Sequence, residues 1–167
     1  MRRAIWLLVI LAGTTAAQRR PIGNRGQADE QSAIAREMLD AHNRVRAGVG
    51  VPQLVWSRPL AAYAQDWAAR LLTRRQFAHR PDSEYGENLF MISGGTVPPA
   101  KVVNEWASES RDYDLRSNSC KGVCGHYTQI VWDGTRQVGC GVAKGGGREI
   151  WVCNYDPAGN WNGRRPY

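Results

Sequence analysis

Apolar residues recur at intervals of three and four positions in three stretches of the chain, at residues 29–45, 60–74 and 98–114. This spacing places them along one side of an amphipathic helix. The three stripes consist of Ile34, Met38, Ala41 and Val45; of Leu60, Ala64, Trp67 and Leu71; and of Val102, Trp106, Glu109 and Tyr113. The pattern therefore predicts three helices whose apolar sides share a core.

In the last third of the chain, apolar and other residues alternate at every second position. Residues 125–132, with the sequence Gly-His-Tyr-Thr-Gln-Ile-Val-Trp, predict a buried strand that begins at His126. Residues 137–143 and 148–154 predict a β-hairpin, because the three glycines between them tolerate positive φ. Residues 79–90 are interrupted by a proline and a glycine, and they predict an irregular loop.

The N-terminus carries the pattern of an export signal. Two arginines follow Met1, residues 4–13 are almost wholly apolar, and small residues lead to Ala17. We therefore predict a signal peptide at residues 1–17, a flexible mature N-terminus at 18–31 and one domain at 32–167. The alternative is an uncleaved anchor, although the apolar run is shorter than the ~20 residues of a membrane span. The predicted location is secreted or extracellular, and periplasmic if the source is a Gram-negative bacterium.

The charge of the chain limits its partners. The formal net charge is +7, from 22 Lys and Arg against 15 Asp and Glu. The excess is scattered, and no basic stripe is interleaved with aromatic residues, so the sequence predicts no nucleic-acid partner. A positive net charge is compatible with attraction to an anionic membrane surface. We expect a monomer.

Four cysteines, Cys120, Cys124, Cys140 and Cys153, are the only ones in the chain. An even number in an exported chain predicts disulfides, although spacing alone leaves three pairings open. Cys140 and Cys153 fall on the two arms of the predicted hairpin, where they can face each other. A zinc cluster is the competing use, but the spacings do not form two tight pairs.

Two histidines and two glutamates are candidates for chemistry: His79, Glu87, Glu109 and His126. Neutral imidazoles bind zinc and similar divalent ions, and carboxylates either bind the metal or orient its other ligands. Glu109 falls on an otherwise apolar helix stripe, where an unpaired charge is costly, so we expect a partner for it. Spacing alone does not bring the four residues together.

Four motifs resemble those of one family. They are His-Asn-Arg-Val-Arg at 42–46, Gly-Glu-Asn-Leu at 86–89, Gly-His-Tyr-Thr-Gln-Ile-Val-Trp at 125–132 and Cys-Asn-Tyr-Asp-Pro-Ala-Gly-Asn at 153–160. In this order they resemble the CAP superfamily of cysteine-rich secretory proteins, antigen five and pathogenesis-related group one. The resemblance implies an α+β fold, a three-layer α-β-α sandwich around a small, mostly antiparallel sheet.

The resemblance also implies roles for residues. A central cleft would be lined by a tetrad of His79, Glu87, Glu109 and His126, with the two histidines able to bind zinc or another divalent metal. His42 and Asn43 would belong to a structural motif. The implied disulfides are Cys120–Cys124 and Cys140–Cys153. A third bridge usual in the plant group is absent, because the chain has no cysteine near Thr73 or in its three-glycine turn.

Three functions follow from the resemblance. The first is a module that binds a sterol or another lipid in defence or host interaction, with a groove lined by Trp106, Tyr113, Phe90, Met91 and Ile92. The second is a metal-dependent hydrolase or protease, with Glu87 as the candidate base. The third is a precursor that releases residues 157–167 as a signalling peptide. The sequence favours a binding module over an enzyme.

Overall fold

The computed structural model describes residues 23–167, so the predicted signal peptide at 1–17 lies outside the described residues. The helices are α1 (Gly23–Val49), α2 (Arg58–Arg74), α3 (Pro99–Ser108) and α4 (Gly125–Ile130), with a 3-10 turn at Glu109–Asp112. The strands are β1 (Val55–Trp56), β2 (Gly86–Ser93), β3 (Tyr113–Asp114), β4 (Ser119–Cys120), β5 (Gln137–Gly145) and β6 (Arg148–Asp156). None of the helices described is both long enough and apolar enough to cross a membrane.

The main sheet has the strand order β1-β5-β6-β2 and is mostly antiparallel. Only the short β1 pairs in parallel, with β5. Side chains on alternate positions of β6 enter two separate cores: Trp151 packs with α1, α3 and α4, whereas Val152 packs with α2. Helices therefore cover both faces of the sheet, and the predicted α-β-α sandwich and its hairpin are confirmed.

Two glycines of β5 allow α2 to approach the sheet closely. A Cβ atom on Gly139 would lie 2.2 Å from the backbone nitrogen of Ala61, and one on Gly141 would lie 2.4 Å from the Cα of Gln65. No larger residue fits at either position without moving the helix. The side-chain amide of Gln65 also bonds the N–H and the C=O of Val142, at 3.0 and 2.9 Å, and so satisfies the edge of β5 beyond the end of β1.

The predicted strand at residues 125–132 is wrong, because this segment begins with helix α4. Its apolar residues fit both patterns. Tyr127, Ile130 and Val131 are spaced by three and one, which places all three in the same core when the backbone is helical. The alternation in the sequence was therefore a coincidence of composition, and packing against α1 and α3 selected the helix.

Three further boundaries differ from the predictions. Glu87 and Asn88 lie in strand β2, which pairs with β6, and not in an irregular loop. Helix α1 begins at Gly23, within the stretch 18–31 that was predicted as a flexible N-terminus. Helix α3 ends at Ser108, six residues before the predicted end, because the chain tightens into a 3-10 turn at Glu109.

Both implied disulfides are present, Cys120–Cys124 and Cys140–Cys153. The second joins directly paired positions of β5 and β6. Thr73 and Gly145 line one surface concavity, so the positions assigned to the missing third bridge are neighbours in space.

A buried arginine links α1 to the segment that follows α4. Arg46 is fully buried and donates to the backbone carbonyls of Pro52, Ile130, Trp132 and Thr135 at 2.6–3.2 Å. Burial lowers its pKa to about 10. Because two of these carbonyls end α4, Arg46 holds the helix that carries His126 against α1.

Candidate functional site

His126 and Glu109 form the first of two histidine–carboxylate pairs. The Nδ1 atom of His126 lies 2.6 Å from Oε1 of Glu109. The other oxygen, Oε2, accepts the backbone N–H of His126 at 3.0 Å and that of Tyr127 at 3.4 Å. Glu109 therefore has the partners that its place on an apolar stripe required, and it satisfies N–H groups at the start of α4 that have no acceptor within the helix.

Two further contacts hold this pair in place. The imidazole of His126 stacks on the indole of Trp106, with centroids 6.0 Å apart and planes 18° apart. The side-chain amide of Asn88 donates to the backbone oxygen of His126 at 3.0 Å. The indole N–H of Trp106 donates to the backbone oxygen of Leu89, so α3 is joined to the outer edge of β2.

His79 and Glu87 form the second pair. Nδ1 of His79 lies 2.8 Å from Oε1 of Glu87, which also accepts the backbone N–H of Arg80 at 3.0 Å. The Glu87 side chain is 5% exposed and that of His79 is 66% exposed. The hydrogen bond that His79 donates to Glu87 raises the pKa of His79 above its usual value.

Arg80 anchors the loop that carries His79. Its guanidinium lies 3.7 Å from the centroid of the Tyr63 ring and donates to Asp66 at 2.8 Å. These contacts attach the loop to α2 through stacking and charge. The backbone of His79 is thereby positioned, while its ring faces solvent.

The two pairs lie on opposite faces of β2. Successive side chains of a strand point to opposite faces, and Asn88 contacts His126 on the α3 side. Glu87, the preceding residue, therefore faces α2. A concavity of about 480 Å³ is lined by Glu109, His126, Phe77, Met91 and Val123, but not by His79 or Glu87. The four residues thus form two hydrogen-bonded pairs, and a common cleft lined by all four stays a prediction.

In each pair the glutamate bonds one ring nitrogen of the histidine and leaves the other nitrogen available for a ligand. A carboxylate accepts hydrogen bonds only, so Nδ1 carries a proton in both rings, and Nε2 is left as the acceptor in the neutral form of each ring. This is the usual arrangement behind a metal-binding histidine. Within residues 23–167, however, no three His, Cys, Asp or Glu side chains converge closely enough to hold a metal ion.

His42 and Asn43 lie away from both pairs. His42 is buried, with Nδ1 2.7 Å from the Met38 carbonyl and Nε2 2.9 Å from the Tyr155 hydroxyl, and burial lowers its pKa to about 4. Asn43 exchanges two hydrogen bonds with the backbone of Leu54. The Tyr155 hydroxyl also accepts from Asn88, so a chain of hydrogen bonds runs from His42 to the residue that holds His126.

The lining residues predicted for an apolar groove are divided between core and surface. Trp106, Phe90 and Met91 all line the concavity beside His126, although Trp106 is only 2% exposed and belongs mainly to the core. The sequence analysis missed Phe77 and Val123, which are 48% and 62% exposed. The sequence did contain a signal for both residues, because a large apolar side chain next to a charged or cysteine-rich segment is a candidate for exposure at the surface.

A second groove, of about 650 Å³, was also missed. It lies between α1 and α2, with Leu39 and Trp56 among small residues and with Arg36 and Arg58 in its lining. No sequence signal marks it, because its walls come from two helices that are joined only through the sheet.

Comparison with known sequences identifies the family. The profile of the cysteine-rich secretory protein (CAP) family matches residues 39–155. The chain belongs to the CAP family. Pathogenesis-related protein 1A of Nicotiana tabacum is 46% identical over 134 residues, 78% of this chain and 79% of the relative. Pathogenesis-related protein 1 of Arabidopsis thaliana is 38% identical over 162 residues, 96% of this chain and 95% of the relative.

Solved CAP-like structures have the same fold. The venom allergen-like protein 4 of Schistosoma mansoni has a TM-score of 0.67 at 27% identity, covering 80% of this chain and 93% of that one. The structure titled NaASP2 with Zn2+ has a TM-score of 0.66 at 25% identity, covering 81% and 85%. In this CAP protein the matched region contains both pairs and both disulfides, and it ends before the C-terminal tail, residues 157–167.

Proposed function

We propose that this CAP protein is an exported binding module of the pathogenesis-related type, acting in defence or host interaction. Its similarity to pathogenesis-related relatives over most of its length supports this proposal, and two disulfides suit an oxidising compartment. Expression of the full chain with a C-terminal tag tests export. Mature protein in the medium or periplasm that begins after Ala17 is expected, and retention in the membrane fraction would contradict the proposal.

The observation that carries the binding proposal is the matched orientation of two imidazoles. His79 and His126 each direct Nδ1 to a glutamate and keep Nε2 for a ligand. We propose that they bind a divalent cation, zinc among the candidates, as the two protein ligands of an open site, with Glu87 and Glu109 orienting them. In support, β2 is an edge strand of the sheet, and Phe77, two residues before His79, lines the same concavity as His126. The related crystal structure of NaASP2 is one with Zn2+.

A zinc titration tests this site. Zinc is expected to raise the melting temperature of the mature protein by mass action, and the shift should be lost in His79→Ala and in His126→Ala. Asp40→Asn, a change of an exposed carboxylate on α1, is the control and should keep the shift. A shift that is the same in both histidine variants would remove the proposed site.

A sterol or another lipid is the second proposed ligand, and the α1–α2 groove favours it. The groove has a volume of about 650 Å³ and mainly apolar walls, and Arg36 and Arg58 suit the polar end of an amphiphile. Sterol binding should be lost in Ala35→Phe, which fills the groove, and kept in Ala33→Phe on the exposed side of α1. Loss in both variants, or in neither, would contradict the assignment. Approach to anionic membranes through the net positive charge is part of this proposal.

The geometry supports the two remaining functions less well. As a general base, Glu87 would need contact with water, but its Oε1 is bonded and its Oε2 is buried without a partner among the described residues. Release of the tail would break the bond from the N–H of Asp133 to the Pro166 oxygen and the contact between the Tyr127 and Tyr167 hydroxyls. We therefore propose a packed tail and a non-enzymatic role.

A further inference from the structure

The C-terminal tail presents one tryptophan to solvent in a fixed orientation. Trp161 is 59% exposed, although its indole N–H donates to the Ala158 oxygen at 3.0 Å. The backbone oxygen of Trp161 accepts the N–H of Arg164 at 3.0 Å, which closes a tight turn after it. The ring is thus held by its own loop and not by burial, so one of its surfaces remains available for contact.

The loop is attached to α4 through polar side chains. Asn160 donates to the Gly125 oxygen at 2.8 Å and accepts from the Thr128 hydroxyl at 2.7 Å. The N–H of Gly159 donates to the Gln129 side chain at 3.0 Å. Asn160 has a φ of 58°, a conformation that asparagine tolerates better than most residues. These contacts organise the loop before any ligand arrives, which lowers the entropy cost of binding.

A concavity of about 320 Å³ lies beside the exposed ring. Its lining consists of aromatic, amide, hydroxyl and small residues: Tyr113, Asn118, Cys120, Cys124, Gly125, Thr128, Trp132, Asn160, Trp161, Asn162, Gly163, Arg164 and Pro166. Among these lining residues Arg164 is the one with a charged side chain. Within residues 23–167, the side chains of Asn162 and Arg164 make no hydrogen bond and can serve a ligand.

We propose that this concavity binds a neutral oligosaccharide built of pyranose rings. A pyranose has an apolar face of C–H groups and an edge of hydroxyls. An exposed indole matches the face. The amide of Asn162 can both donate to and accept from hydroxyls, and the guanidinium of Arg164 can donate to them. Its tail residues, Asn160 to Pro166, lie outside the part of the chain matched by the family profile, residues 39–155. Its lining shares no residue with the histidine pairs or with the α1–α2 groove.

Other ligand classes match the lining less well. A membrane contact requires several large apolar side chains, and Trp161 is the one that the site exposes. A nucleic acid or an acidic polymer requires a row of cations, and the site offers a single guanidinium. Amide and hydroxyl groups around one aromatic plane favour a neutral, hydroxyl-rich ligand.

Isothermal titration calorimetry of the mature protein with cellohexaose, laminarihexaose and chitohexaose tests the proposal. Saturable binding of at least one of the three is expected, with little dependence on salt. Trp161→Ala should weaken it by roughly tenfold, and Trp161→Phe should retain part of the affinity. Phe77→Ala, which removes an exposed aromatic ring beside His126, is the matched control and should bind as the parent does.

Three results would overturn the assignment. They are the absence of binding to all three hexasaccharides, equal affinity in Trp161→Ala and the parent, and binding only to phosphatidylserine vesicles that is lost at high salt. An unchanged melting temperature of Trp161→Ala is expected, because the ring is mostly exposed, and it separates loss of binding from loss of fold. Failure here would leave the zinc and sterol experiments unaffected.

Discussion

Glu109 contacts His126 through both of its carboxylate oxygens, one on the imidazole Nδ1 at 2.6 Å and the other on the backbone N–H at 3.0 Å. The first contact sets the tautomer and direction of the ring. The second supplies helix α4 with an N-terminal acceptor, which its own N-cap residue, Cys124, does not provide. A single side chain therefore orients the candidate ligand and stabilises the helix that carries it.

Removal of this carboxylate should destabilise the fold as well as the site. Glu109→Ala is expected to lower the free energy of unfolding by about 1–2 kcal/mol, the usual effect of losing a helix cap. Glu109→Gln should retain part of the cap through its amide oxygen. Urea denaturation measures both, with Glu105→Gln as a control that should change stability by less than about 0.5 kcal/mol, since Glu105 is exposed. Equal stability of Glu109→Ala and the parent would contradict the capping role.

Arg46 should tolerate no replacement, including lysine. Its guanidinium donates to four carbonyl oxygens through three different nitrogen atoms. A lysine ammonium has a single nitrogen with three N–H donors and cannot reach all four oxygens. Arg46→Lys is expected to cost about 3 kcal/mol or more, because buried acceptors lose their donors. The exposed Arg44→Lys on the same helix is the control. Chemical denaturation of the two variants would show equal midpoints if the carbonyl contacts were unimportant.

Helix α2 should be displaced by a single methyl group. Gly141→Ala places a Cβ atom 2.4 Å from the backbone of Gln65, so the helix and the sheet must separate. We expect a loss of about 3 kcal/mol, at the upper end of the cost of overpacking. Gly95→Ala is the matched control, because nothing lies within 4 Å of its Cβ position. Thermal denaturation compares the two, and a Gly141→Ala protein as stable as Gly95→Ala would show that the helix adjusts freely.

Stability should fall on mild acidification because of His42. Burial lowers its pKa to about 4, whereas the unfolded chain binds the proton near pH 6.5. Between these values the unfolded state holds more protons, so the free energy of unfolding falls as pH falls, by about 3 kcal/mol at most. Urea denaturation of the parent and of His42→Gln between about pH 7 and pH 4.5 measures this part of the slope. A slope that is identical in both proteins would exclude His42 as its source.

Where local pattern and tertiary packing agreed, the sequence predicted the structure. The hairpin of β5 and β6 follows from two alternating runs around glycines, and its register then places Cys140 opposite Cys153. The position of α2 follows from its apolar stripe. The motifs led to the α-β-α sandwich through resemblance to CAP proteins, and the comparisons show that family.

The sequence was misleading where one set of apolar residues fits both the two-residue period of a strand and the 3.6-residue period of a helix. Tyr127, Ile130 and Val131 can be read as part of a strand or as one side of a helix, and only the core between α1 and α3 selects the helix. Glu87 and Asn88 resemble loop residues because both are polar. Pairing with β6 places them in a strand, and their adjacency then separates the histidine pairs onto two faces.

By itself, the sequence determined which residues carry chemistry, because residue type and motif are local properties. Only the tertiary structure decided how they combine. Glu109 bonds His126, Glu87 bonds His79, and Trp161 is exposed beside a concavity with polar walls. These relationships join positions up to tens of residues apart. Their geometry depends on the sum of many packing contacts, none of which is encoded in the spacing of the residues concerned.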